Sequence, residues 1–219
     1  MRYNGIVFDL DGTLLDTLGD IVASANAVLC EMGCEPHSQQ LYREYIGHGL
    51  HRLAERALPQ ERRTDAEVGL FVSRYREVYA ERWCETSRPF EGVPELLSEL
   101  VRRHLPIAVL SNKRHDFTEL CVRTLLGGWS FAVVRGEMAG VPLKPDPTAA
   151  LAVTTKLGIE PACCLFVGDS EVDLETAQRA GMPSAGVLWG YRDRELLEQF
   201  KAAILVSQPL ELLNHVLGS

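Results

Sequence analysis

Gly5-Ile6-Val7-Phe8-Asp9-Leu10-Asp11-Gly12-Thr13 is an apolar run that ends on two acids, a glycine and a hydroxyl. The run Gly5–Phe8 predicts a buried strand ending at Asp9. Two carboxylates two residues apart can face the same side of an extended chain. One can act as a nucleophile while its neighbour handles protons. Close like charges push the second pKa up, which favours a protonated acid able to donate to a leaving oxygen. Gly12 lets the backbone turn sharply after the strand. Taken alone, the pair of acids is equally compatible with a solvated turn.

Outward from this stretch, residues 18–32 have helical periodicity, and Gly33 sits where a helix would stop. From there to about Arg82 only helical signals occur. Leu50, Leu53, Ala54 and Ala57 share one face, and Leu70, Phe71, Tyr75, Val78 and Tyr79 share another. This stretch interrupts a strand–helix alternation and reads as a helical insertion, closed by the linker Glu85-Thr86-Ser87-Arg88-Pro89. Alternation then resumes. Helices are expected over 93–103, 114–126, 147–157 and 171–180, with Pro94 in a first turn where proline is tolerated. Strands are expected over 106–110, 131–134, 163–167 and 183–187, with weaker signals after them. The pattern is that of a parallel sheet covered by helices.

The 219 residues suffice for one full domain plus a modest insertion, and the 46% apolar content can build a core. A formal net charge of −8 argues against nucleic acid or an anionic membrane as partner. It leaves room for a small anionic substrate, because a local metal ion can reverse the field inside a cleft. With no signal peptide and no bilayer-length apolar run, the protein is expected to be cytoplasmic. The six cysteines contain no CxxC pair and read as small apolar residues, with no disulfide framework expected.

Asp9, Ser111, Lys144 and Asp169 fall at or just beyond the C-terminal ends of expected strands, the edge where open parallel sheets bind ligands. In Leu110-Ser111-Asn112-Lys113, a hydroxyl and an amide can hold phosphate oxygens, or Ser111 or Asn112 can cap the following helix. In Lys144-Pro145-Asp146-Pro147, a lysine bracketed by prolines is held in place and can neutralise both a carboxylate and a phosphate. In Gly168-Asp169-Ser170-Glu171-Val172-Asp173, Asp169 suits magnesium, while Ser170 and Asp173 have capping-box spacing. Together these groups suit phosphoryl transfer, in which an anionic ester meets an anionic carboxylate and a cation must screen the repulsion.

At these residues the chain resembles the haloacid dehalogenase superfamily. Asp9-Leu10-Asp11-Gly12-Thr13 matches its DxDGT motif, Ser111 its second motif, Lys144 its third, and Gly168-Asp169 through Asp173 its acidic fourth. The resemblance implies a Rossmann-like α/β core (residues 1–15 and 87–219) with a small α-helical cap insertion (16–86). It implies Asp9 as nucleophile and Asp11 as general acid and then base. Magnesium would be held by the Asp9 carboxylate, the Asp11 backbone carbonyl and Asp169, with Asp173 in support. Ser111, Asn112 and Lys144 would bind the phosphoryl group of a small phosphorylated metabolite, and Gly12, Thr13, Gly168 and Ser170 would shape the site. An aspartate at position 11 is the mark of the superfamily's phosphatases and mutases.

Tyr45-Ile46-Gly47-His48-Gly49-Leu50, Ser111-Asn112-Lys113 and Val187-Leu188-Trp189-Gly190-Tyr191 are similar to segments of the superfamily's phosphoglycolate phosphatase group. Other relatives act on pyrophosphate, nucleotides or sugar phosphates, or are phosphomutases of the β-phosphoglucomutase type. Gly47 and Gly49 would let the cap backbone approach a substrate, or simply turn the chain. His48 and His51 could share a helix face as polar surface, and Arg52 could meet a substrate carboxylate or lie on an exposed helix.

Overall fold

The first strand, β1 (Gly5–Phe8), is buried at all four residues. Uninterrupted apolar character is what a central strand of a parallel sheet requires, since both of its faces are covered. The computed structural model describes residues 3–217. After β1 the chain forms a short strand, β2 (Leu15–Asp16), which pairs with β3 (Arg88–Pro89). Five longer strands follow: β4 (Ile107–Arg114), β5 (Val133–Glu137), β6 (Cys164–Gly168), β7 (Ser184–Val187) and β8 (Ile204–Val206). With β1 they make a six-stranded sheet in the order β5-β4-β1-β6-β7-β8, every pair parallel. The order reverses at β1: the next two long strands add on one side and the last three on the other. Such a reversal opens a crevice beyond the strands' C-terminal ends.

Two compact units are present, Met1–Leu15 with Pro89–Ser219, and Asp16–Arg88. The first holds the sheet and its helices α5 (Val93–Arg102), α6 (His115–Leu125), α7 (Thr148–Leu157), α8 (Glu171–Ala180), α9 (Arg194–Gln199) and α10 (Glu211–Leu217). On one sheet face Val7, Ala108, Leu110 and Phe166 pack with Ala149, Ala150 and Val153 of α7 and Ala177 and Ala180 of α8. The alternating residues Ile6, Phe8, Val109, Leu165 and Val167 are equally buried, as the strand period of two dictates. Each such side chain contributes about 1.5–3 kcal/mol of apolar burial.

The second unit is helical: α1 (Leu18–Glu31), α2 (Gln39–Tyr45), α3 (Leu50–Ala57) and α4 (Asp65–Arg82). Its core includes Leu29, Tyr42, Leu58 and Phe71. Phe71, Tyr75 and Tyr79 stack along α4 with ring centroids 6.3 and 5.3 Å apart. Buried Asp20 accepts from four donors, the backbone N–H and hydroxyl of Thr86 (2.9 and 2.6 Å) and of Ser87 (2.9 and 2.6 Å), with the Thr86 N–H shared to its second oxygen at 3.2 Å. Among the described residues no helix is long and apolar enough to cross a membrane.

Three local expectations are corrected. Strand β4 continues past Leu110 to Arg114, so Ser111 and Asn112 lie within it; α6 starts at His115 with no side-chain cap, and neither residue caps it. His48 lies in the turn before α3 and His51 is exposed on α3, so the two share no helix face. Cys163 ends a short 3₁₀ turn, and β6 begins at Cys164.

Candidate active site

Beyond the C-terminal end of β1, Asp9 is fixed by its backbone N–H, which donates to the Val167 carbonyl of β6 at 2.9 Å. Its carboxylate is buried, and Lys144 Nζ lies 2.8 Å from Oδ1. Lys144 sits in the loop between β5 and α7, its side chain only 2% exposed. The same ammonium donates to Asp173 Oδ1 at 2.7 Å and to the Leu110 carbonyl at 3.1 Å. Asn112 aims this lysine: its side chain donates to the Lys144 carbonyl (2.9 Å) and accepts from the Lys144 N–H (2.8 Å). The strand residue thus works as a bracket for the loop.

Asp173 and Ser170 form the capping box of α8; Asp173 Oδ2 accepts from the Ser170 N–H at 3.1 Å and from its hydroxyl at 2.6 Å. With Oδ1 on Lys144, both Asp173 oxygens are engaged. Asp169 follows β6 directly. Its Oδ2 accepts from the Tyr191 N–H at 2.8 Å and its Oδ1 from the Thr13 hydroxyl at 3.3 Å. Two glycines make room for it. Gly12 has φ +88°, and a Cβ there would collide with the Asp169 carboxylate. A Cβ on Gly190 would strike Asp169 and the Gly12 carbonyl. The Trp189 indole N–H donates to the Thr13 carbonyl at 3.0 Å, fastening this loop to the turn after β1.

One oxygen each from Asp9, Asp169 and Asp173 lie within 4.8 Å of one another. Three carboxylates against one lysine leave a buried negative surplus. Burial first, then the neighbouring acids, push the Asp9 carboxyl well up, with Lys144 opposing. Asp169 rises to about 7, chiefly through burial and then Asp173. Burial alone would lower Lys144, but Asp173 and Asp9 reverse this and hold it charged. Hard oxygen donors with surplus negative charge fit a divalent cation. Asp173 is turned into the α8 cap and onto Lys144, whereas Asp9 and Asp169 directly follow the paired strands β1 and β6, so these two carboxylates are the ones placed to share such an ion.

Asp11 is held by a residue to which the sequence assigned no role. Lys113 Nζ donates to Asp11 Oδ1 at 2.9 Å and Oδ2 at 3.1 Å. Arg192, bonded through Nε to Glu171 Oε2 at 2.8 Å, braces the loop that carries Tyr191. Neither partner is near in sequence, and a backbone donor such as Tyr191 leaves no side-chain signature. Ser111 is buried at the same strand ends, its Oγ accepting from the Lys113 N–H at 3.2 Å. Gly47, His48 and Gly49 lie in the turn between α2 and α3 of the helical unit, with φ +112° and +85° at the glycines. Arg52 is exposed there and donates to Glu55 at 2.6 Å.

The model of the family described as haloacid dehalogenase-like hydrolase matches residues 6–187. The chain belongs to that family. The hydrolase is 35% identical over 187 residues to a phosphoglycolate phosphatase of Aquifex aeolicus, covering 85% of each chain. It is 31% identical over 215 residues to an N-acetylmuramic acid 6-phosphate phosphatase of Pseudomonas aeruginosa, covering 98% of this chain and 95% of that one. A solved structure from Lactobacillus delbrueckii subsp. bulgaricus is similar with TM-score 0.93 and 26% identity over 100% of both chains. A hydrolase from Pseudomonas syringae gives TM-score 0.81 at 25% identity, over 99% of this chain and 98% of that one.

Proposed function

We propose that this hydrolase is a magnesium-dependent phosphatase of small phosphomonoesters, with 2-phosphoglycolate as its main substrate, and that the phosphoryl group passes through Asp9. The observation that carries the reading is the buried Asp9 carboxylate at a strand end, facing Lys144 at 2.8 Å and clustered with Asp169 and Asp173. The relatives named above support the ester class.

In this reading an Asp9 oxygen attacks phosphorus, and the bond from phosphorus to the ester oxygen breaks. Asp11 gives its proton to that oxygen, and the alcohol leaves. Asp11 then takes a proton from a water that attacks the aspartyl phosphate, releasing inorganic phosphate and restoring the Asp9 carboxylate. Lys144 and the Ser111 hydroxyl hold phosphoryl oxygens, while Asn112 keeps Lys144 in place. Magnesium, held by the Asp9 and Asp169 carboxylates with the Asp11 backbone carbonyl, supplies positive charge against the developing negative charge. The helical unit is the cap in this reading and chooses the substrate, with Gly47, His48, Gly49 and Arg52 as its candidate residues.

A second reading, a sugar phosphate as substrate, is favoured by the P. aeruginosa relative, whose match extends over 98% of this chain. A phosphate-release screen with magnesium, and with excess chelator, separates the two. The panel holds 2-phosphoglycolate, N-acetylmuramic acid 6-phosphate, glucose 6-phosphate, β-glucose 1-phosphate, pyrophosphate and nucleotides. Magnesium-dependent release with the highest kcat/KM on 2-phosphoglycolate is expected. A sugar phosphate tenfold better would replace the substrate and keep the phosphatase; no release from any ester would overturn both.

A further inference from the structure

We propose that Lys113 selects phosphomonoesters that carry a carboxylate on the carbon bearing the ester oxygen, by exchanging the Asp11 carboxylate for that of the substrate. The proposal deepens the phosphatase reading and rests on it.

Lys113 and Asp11 form a tight pair across 102 positions, with both carboxylate oxygens accepting from one ammonium. Their side chains are only 9% and 12% exposed. Lys113 is also pinned through its backbone: its N–H donates to Ser111 Oγ at 3.2 Å and its carbonyl accepts from the Thr118 hydroxyl at 3.1 Å. The register of β4 against β5 shifts between Leu110 and Arg114, so this segment departs from the regular ladder. Irregularities of this kind re-aim side chains beside active sites. The ammonium is therefore placed by the strand, and Asp11 comes to it.

Paired with Lys113 through both oxygens, Asp11 is a carboxylate; to protonate an ester oxygen it must leave the ammonium and take up a proton from water, which it then passes to that oxygen. Turning Asp11 toward that oxygen takes from a nearly buried ammonium the carboxylate that engages it at 2.9 and 3.1 Å, and an arriving anion offsets that loss. In 2-phosphoglycolate the carboxylate carbon is bonded to the carbon that bears the ester oxygen. Once Asp11 meets that oxygen, the substrate carboxylate lies next to the place Asp11 has left and takes over Lys113. An ester with an uncharged alkyl group opens the same pair without replacement. The selection thus acts as the proton donor moves into place, and appears in kcat as well as KM.

The test measures kcat/KM for 2-phosphoglycolate and for ethyl phosphate, which has the same carbon count without the carboxylate, in wild type, Lys113→Met and Lys113→Arg. Wild type is expected to prefer 2-phosphoglycolate. In Lys113→Met the ratio should fall about 10–100-fold, the worth of a charge-assisted hydrogen bond, with most of the loss on 2-phosphoglycolate. Lys113→Arg should recover much of it. Equal losses on both esters, the signature of a merely structural lysine, would overturn the proposal, as would an unchanged ratio. Should Lys113→Met not fold, Lys113→Gln carries the same comparison. Wild type that turns over neither ester defeats the phosphatase reading and the proposal together; turnover with an unmoved ratio defeats the proposal alone.

Discussion

Lys144→Met removes the ammonium from the carboxylate cluster while keeping a side chain of similar length. In the wild type that ammonium lies 2.8 Å from Asp9 and 2.7 Å from Asp173, and is 2% exposed. Removing one partner from a buried ion pair costs about 3–5 kcal/mol, because the charge left behind has neither water nor counter-ion. The cost depends on pH. Burial raises Asp9 and Asp169, Asp169 to about 7 from an ordinary 3.8, and Lys144 is the main influence opposing the rise at Asp9. A carboxyl whose folded pKa is raised contributes stability that is fully present below its unfolded pKa and is lost as pH rises through the folded one. Without the lysine Asp9 rises further, so the variant's deficit should be greatest at pH 8 and shrink toward pH 5.5. Urea unfolding of the metal-free proteins at both pH values measures it, and magnesium at pH 8 should narrow the gap by restoring positive charge. A deficit below about 1 kcal/mol at pH 8, or one equal at both pH values, would refute the claim that Lys144 holds the cluster together electrostatically.

Asp9→Asn should lower turnover of any phosphomonoester by at least about 10³-fold, with a thermal midpoint at or above wild type in metal-free buffer at pH 8, because a crowded buried charge is gone; wild-type-like turnover would end the nucleophile assignment. Gly12→Ala places a Cβ on a backbone with φ +88° and against the Asp169 carboxylate. It should cost about 1–3 kcal/mol in urea unfolding and weaken calorimetric magnesium binding at least tenfold; unchanged metal affinity would show that Asp169 is not held through this turn. In the helical unit, Asp20→Ala orphans the donors of Thr86 and Ser87 and should cost about 2–4 kcal/mol, with part recovered by Asp20→Asn, which keeps an acceptor oxygen. Equal stabilities of the two variants would count against the hydrogen bonds as the cause.

What the sequence made legible is what short-range chemistry specifies. Strand β1 was readable because a central parallel strand is apolar at every position, and Asp9 stood out as the first residue to break that run. The same rule misplaced the end of β4. Apolar character stops at Leu110, yet the ladder runs on because Arg114 pairs with Glu137 of β5, and the polar residues between face chemistry instead of core. Asp173 was readable as a helix cap, and the cap does not compete with the site: one oxygen holds Ser170 while the other holds Lys144. The hidden parts are long-range or backbone contacts. Lys113 meets Asp11 across 102 positions, and Asp169 is steadied by a Tyr191 N–H that almost any residue could supply. In the helical unit the periodicity of Phe71, Tyr75 and Tyr79 reported packing, and packing is indifferent to substrate.

The site therefore divides by cause. Its carboxylates and lysine are identified by type, because burying such charges is tolerable only where they answer one another. Their aim is set by groups with no chemical signature of their own: the Asn112 amide on the Lys144 loop, the missing side chains of Gly12 and Gly190, and the Trp189 indole on the Thr13 carbonyl. A side-chain motif can consequently survive intact in a chain whose site is misaimed. Activity measured on variants of Asn112, Gly190 and Trp189 would reveal this where variants of the acids cannot, since removing an acid abolishes the chemistry whether or not it was well placed.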